Sequence, residues 1–262
     1  MKPTRYLVLA LAAVLCPAAV PQTSQWMNPT DGQALVLVPA GPFTMGGDKR
    51  DQAANPPHQV DLPAFYIGRY EVTVAQFVAC CRALNAQPDR AFLSHNRNDK
   101  DPVRLITWPQ ANAYCQWAGL RLPTEAEWEK AARGTDTRRL PWGNGWDSAL
   151  LNSSDKGSKD PYVGVAPVGS FPGGASPYGC LDMAGNVMEW TSSLYFTYPY
   201  TAADGREDQN AGGERVLRGG SYCSGGSATC NTTARARQET GAHIWDAGFR
   251  CAISADAVKA RQ

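Results

Sequence analysis

Charge is scarce in this 262-residue chain: Asp, Glu, Lys and Arg make up 19% of it, and 25 basic against 24 acidic side chains leave a formal net charge of +1. So even a balance carries no electrostatic footprint for nucleic acid or for an anionic membrane surface. Histidine is scarcer still. His58, His95 and His243 stand far apart, at no spacing typical of a zinc or iron site. Beyond the N-terminus no apolar run approaches the roughly twenty residues that a membrane span requires. Ser221 lies in Gly220-Ser221-Tyr222 rather than in a nucleophile elbow. A phosphate-binding glycine loop and a repeat of solenoid or propeller period are also missing, which removes nucleotide chemistry and repeat architectures.

What the chain does have is 25 Gly, 19 Pro, 8 Trp and 10 Tyr. That composition suits long irregular segments held by large rigid side chains. The first residues carry Lys2 and Arg5, an apolar run from Tyr6 to Leu15, and small residues at Ala18 and Ala19. This layout predicts a signal peptide over 1–20 and an exported product, periplasmic or secreted. Leu15 before Cys16 is not the small residue that a lipoprotein signal uses. Seven further cysteines remain, and export permits disulfides among them. Their odd number leaves at least one outside any intramolecular pair.

After a lead-in over 21–33, one domain is expected over 34–254, with a tail over 255–262. Ala34 to Pro39 and Phe65 to Tyr70 read as strands. Thr73 can cap a helix with Val74, Phe77, Val78 and Cys81 at helical spacing, and a second helix should cover Pro109 to Trp117. Thr124 followed by Glu127 forms a capping box, predicting a helix from Glu125 to Arg133 and assigning both carboxylates to a helix start. Beyond Gly134 the apolar pieces are short and punctuated by Gly, Pro, Asn and Asp. The expected class is α+β, irregular and loop-rich.

Several blocks carry a resemblance: Arg121-Leu122-Pro123-Thr124-Glu125-Ala126-Glu127-Trp128-Glu129, Asp182-Met183-Ala184-Gly185-Asn186, Glu189-Trp190-Thr191, Arg218-Gly219-Gly220-Ser221-Tyr222 and Gly248-Phe249-Arg250. In this order they resemble the formylglycine-generating enzyme, or sulfatase-modifying factor, family. The resemblance implies a domain of low regular secondary structure, distantly similar to C-type lectins and stabilised by two calcium ions. It assigns one ion to Asn152, Ser153, Asp160 and Tyr162, and the other to Asp182, Gly185, Val187 and Glu189. Carboxylates, amides and carbonyls of this kind are the oxygen donors that calcium prefers. It also pairs Cys115 with Cys251 in a disulfide.

The family's oxygenase site uses two cysteines after Arg-Gly-Gly-Ser to bind reduced copper, together with a Ser and a Trp. Ser221, Cys223 and Cys230 fall in that segment as the candidate catalytic residues. Cys223, however, stands one position nearer to the Ser than the family's cysteine does, and a one-residue shift in a strand turns a side chain to the opposite face. The interval to Cys230 is longer than the family's, and Met188 replaces the Trp. Copper ligation, a Cys223–Cys230 disulfide and free redox thiols therefore all stand as readings. The favoured function is an extracytoplasmic accessory, regulatory or maturation factor that binds a protein or peptide partner, with type VI secretion regulation as one setting. The alternatives are copper-dependent conversion of a client cysteine to formylglycine, pyoverdine-type siderophore maturation, and lectin-like calcium-dependent binding.

Overall fold

A computed structural model describes residues 24–47, 51–88, 90–155 and 161–261. The expected signal peptide over 1–20 and the candidate ligand Asp160 lie outside the described residues. Among the described residues no helix is long and apolar enough to cross a membrane.

Sheet one runs β1 (Gln25–Met27), β2 (Ala34–Val38), β5 (Phe65–Gly68) and β10 (Ala252–Ser254), all antiparallel. Alternation along its strands sends side chains to two different cores. Leu35, Tyr66 and Ile253 face a cluster containing Phe77, Trp108, Tyr114 and Cys115. These four belong to α1 (Val74–Ala83) and α3 (Trp108–Trp117). Val36, Val38, Phe65 and Ile67 instead face Trp128, Ala131 and Ala132 of α4 (Glu125–Arg133). The sheet thus lies between two helical layers. The expected lead-in supplies β1, and the expected tail forms α6 (Ala255–Lys259), whose Val258 joins the first core. Five residues were too few for helical periodicity to be read there.

All three long helices open with the same device. Thr73 with Gln76, Thr107 with Gln110 and Thr124 with Glu127 each form a reciprocal capping box. Each satisfies two otherwise orphaned backbone donors. Every residue of α4 is buried, charged ones included. Glu125 accepts from Arg218 and Arg235, Glu129 from Arg133 and Arg218, and Lys130 donates to the carbonyls of Pro39 and Gly41. Glu127 is the capping residue that the sequence predicted, whereas Glu125 belongs to this ion network. Buried charges are tolerated when each finds partners in this way.

The second half carries a sheet in the order β8 (Arg235–Glu239), β7 (Glu214–Arg218), β6 (Met188–Leu194), β9 (Ala247–Phe249). β6 pairs in parallel with β9 and antiparallel with β7, which sets Glu189 opposite both Gly248 and Arg218. β3 (Gly41–Met45) and β4 (His58–Leu62) form a separate hairpin. α2 (Arg90–His95) and α5 (Gly226–Thr229) are short connectors.

Candidate functional site

The loop entering β6 is where the candidate residues converge. Asp182, Gly185 and Asn186 all have positive φ, of 60°, 80° and 62°. A Cβ on Gly185 would lie 2.2 Å from the Asn152 carbonyl oxygen, so only glycine lets the two segments approach. Asn186 N–H donates to that carbonyl at 2.8 Å, and Asn152 Nδ2 donates to Asn186 Oδ1 at 3.2 Å. Asn186 Nδ2 donates to Glu71 Oε2 at 2.7 Å, and Val187 N–H to Glu71 Oε1 at 3.2 Å. Asn186 and Glu71 are thus the hub of the site, and the sequence reading assigned neither a role. Asn186 accepts from or donates to four segments, a property that no spacing rule exposes.

The first candidate calcium group has unspent donors. Asn152 Oδ1 and Ser153 Oγ are buried and have no hydrogen-bond partner among the described residues. Orphaned buried oxygens are costly, and a cation would satisfy them, so Asn152 fits the role assigned to it. Tyr162 lies half-buried nearby in sequence, its hydroxyl donating to Ser170 Oγ.

The second group is differently placed. Asp182 Oδ2 accepts from Gly169 N–H at 2.7 Å. Glu189 forms a bidentate pair with Arg250, with Nε on Oε2 and Nη2 on Oε1, both at 2.6 Å, and it also accepts from Trp128 Nε1. Burial, and then the neighbouring Asp182 and Glu189, raise the Glu71 carboxyl well above its ordinary range. Burial likewise raises Asp182 to about 6. With Glu189 taken up by Arg250 and Glu71 raised well above its ordinary range, Asp182 is the carboxylate left for a cation here, and among the described residues no group of three or more His, Cys, Asp or Glu side chains is placed to hold a metal ion.

The cysteines separate into two situations. Cys115 and Cys251 are both buried, with their sulfurs 3.2 Å apart. Cys230 is 0% exposed, and its Sγ lies 3.8 Å from the carbonyl oxygens of both Ser221 and Ser224. Burial pushes its thiol up to about 11. Cys223, by contrast, is exposed. Ser221 donates its hydroxyl to Asp246 Oδ2 at 2.6 Å and accepts from Cys223 N–H, so it orders the turn between β7 and α5. Met188 lines a recess of about 200 Å³ with Leu217, Gly220, Ser224 and Ala228. The three histidines make separate structural contacts: His95 bonds locally to Ser94, whereas His58 accepts from Tyr200 N–H and His243 contacts the Leu105 carbonyl.

Residues 21–255 match the model of the sulfatase-modifying factor enzyme 1-like domain. The chain belongs to this family. The formylglycine-generating enzyme of Streptomyces coelicolor is 32% identical over 307 residues, covering 92% of this chain and 95% of that one. The hercynine oxygenase of Mycolicibacterium smegmatis is 35% identical over 233 residues, covering 71% of this chain and 54% of the relative. The chain thus spans about half the length of that oxygenase. Among solved structures, PvdO from Pseudomonas aeruginosa superposes with a TM-score of 0.74 at 24% identity, covering 89% of this chain and 98% of that one. That likeness establishes the shared mixed α/β fold. The sulfatase-modifying factor scaffold accounts for the order of the sequence blocks from Arg121 to Arg250.

Proposed function

We propose that this family member acts outside the cytoplasm as an accessory or maturation factor that holds a protein or peptide partner, without copper oxygenase chemistry. The observation that carries this reading is the unequal depth of the two candidate copper ligands. Two-thiolate copper needs both sulfurs deprotonated and turned to one point. Cys230 is instead sealed against two carbonyls while Cys223 stands at the surface. The donor set therefore does not fit, and Met188 supplies a flexible thioether where the family has an indole wall. Regulation of type VI secretion and siderophore maturation are both settings in which such a factor would work.

Calcium belongs to the same proposal, in a structural role. Asn152, with the Ser153 and Tyr162 carbonyls and Asp160, would hold one ion. Asp182 and the Gly185 and Val187 carbonyls would hold the other, beside Glu189. Bound there, calcium would fasten the segments around Asn152 and Tyr162 and the strip entering β6 to the rest of the fold. The Cys115–Cys251 bridge would tie α3 to the strand leading into β10.

The competing reading is oxygenation of a client cysteine, and retention of Ser221 favours it. Incubating the purified chain with copper, oxygen, a thiol reductant and a cysteine-containing sulfatase peptide separates the two. The expected result is a peptide mass that does not change beyond thiol oxidation. Conversion of the cysteine to an aldehyde, abolished by Cys230→Ser, would replace the accessory reading with the enzymatic one.

A further inference from the structure

A cleft of about 630 Å³ lies beside the Cys230 loop. Among its lining residues are Asp51, Arg133, Arg139, Asn144, Asn231 and Thr233. Asp51 and Ala228 also line the Met188 recess, so the two hollows adjoin. The lining is polar, and its charges are not equivalent. Arg133 is matched by Glu129 at 2.8 Å and caps the carbonyls of Thr44 and Gly46. Asp51 accepts from the Thr233 hydroxyl through Oδ2.

Arg139 is the exception. Its guanidinium makes one hydrogen bond, from Nη2 to the Ser227 carbonyl at 3.0 Å, and no ion pair among the described residues. Its backbone is nonetheless fixed on both sides. Arg139 N–H donates to Asn144 Oδ1, while its carbonyl accepts from Thr232 N–H and Thr232 Oγ1. A half-buried guanidinium on a locked backbone, anchored at one nitrogen and without an ion-pair partner among the described residues, is pre-organised for a planar anion.

We infer that the cleft receives an extended segment of the partner bearing a carboxylate side chain, with that carboxylate seated on Arg139. Asp51, the acid on the cleft lining, has acceptor capacity left beyond its bond to Thr233 and would take a main-chain N–H of the same segment. This assignment rests on the partner-binding reading above and gives it a chemical class: an acidic peptide segment. The charge supplies selectivity, because a neutral amide in the same place would leave the guanidinium without its counterion.

The test uses the full mature chain and two capped pentapeptides, acetyl-Gly-Ala-Glu-Ala-Gly-amide and its Gln counterpart, titrated at low salt with binding followed by NMR. The Glu peptide should bind at least about 10-fold more tightly, shift the Arg139 Nε–H resonance and weaken as salt rises. Arg139→Gln should erase the difference, and Arg139→Lys should keep part of it, since a point charge lacks the planar fork. Thermal melts of both variants check that the Ser227 anchor has not been needed for folding. Equal binding of the two peptides, no binding of either, or a preference that survives Arg139→Gln would each overturn the assignment. The copper and peptide-oxidation experiments are read independently, so a failure of the acidic-segment assignment is distinguishable from a failure of the accessory reading.

Discussion

Asn186 and Asn152 hold each other twice, through Asn186 N–H to the Asn152 carbonyl at 2.8 Å and through Asn152 Nδ2 to Asn186 Oδ1 at 3.2 Å. Two loops far apart in sequence are locked by one reciprocal pair, and Glu71 closes the arrangement from a third segment. Asn186→Ala removes the partner of a buried carboxylate oxygen and of the Ala166 N–H. Leaving such groups unmatched should cost on the order of 3 kcal/mol, read as a lower urea midpoint. Asn186→Asp keeps the shape but sets a carboxylate against Glu71, and it should be destabilising as well.

Calcium removal should act on the whole fold. With EGTA the melting temperature should fall by about 5–10 °C, in line with losing a ligand present well above its dissociation constant. Added calcium should restore it and magnesium should not, because magnesium resists dehydration into irregular oxygen sites. Asn152→Ala, which deletes the orphaned Oδ1, should blunt the response. An unchanged melting temperature with loss only of ligand affinity would instead favour a lectin-like role.

Glu207 gives a pH signature outside that site. Burial raises its carboxyl above the ordinary range, opposed in part by the hydroxyls of Ser193, Tyr200 and Ser192. A raised folded value means that the unfolded chain releases this proton first. Its contribution to stability is therefore complete at acid pH and is lost as pH rises through the folded value. Glu207→Gln lacks that titration. The stability of the wild type relative to Glu207→Gln, from urea melts at successive pH values, should decline from about pH 4.3 upward. A flat difference across that window would contradict the burial argument.

Local signals exposed the frame of this fold well. Thr124 with Glu127 located α4 because a capping box is written within four residues, and Val74, Phe77 and Cys81 marked the buried side of α1 for the same reason. Thr107 with Gln110 carries the same pattern, and with it α3 begins at Trp108, one residue before the Pro109 that apolar spacing marks. Glu125 opens α4 as expected, but its place in the ion network is not legible in the sequence because its partners, Arg218 and Arg235, lie about a hundred residues away. Asn186, Glu71 and Arg139 were invisible as site residues on the same ground. Their roles depend on which loops meet, and no periodicity encodes that. The blocks around Asp182 and Arg218 announced the scaffold, while the depth of Cys230 against Cys223 needed coordinates.

The central claim is that this sulfatase-modifying factor domain has kept the scaffold without the copper site. Its most direct test is a titration of the reduced, purified chain with copper(I) in competition with a chromophoric chelator, alongside Cys223→Ser and Cys230→Ser. The expected result is no stoichiometric high-affinity copper and no difference among the three proteins. One equivalent of tightly bound copper, lost in both variants, would contradict it.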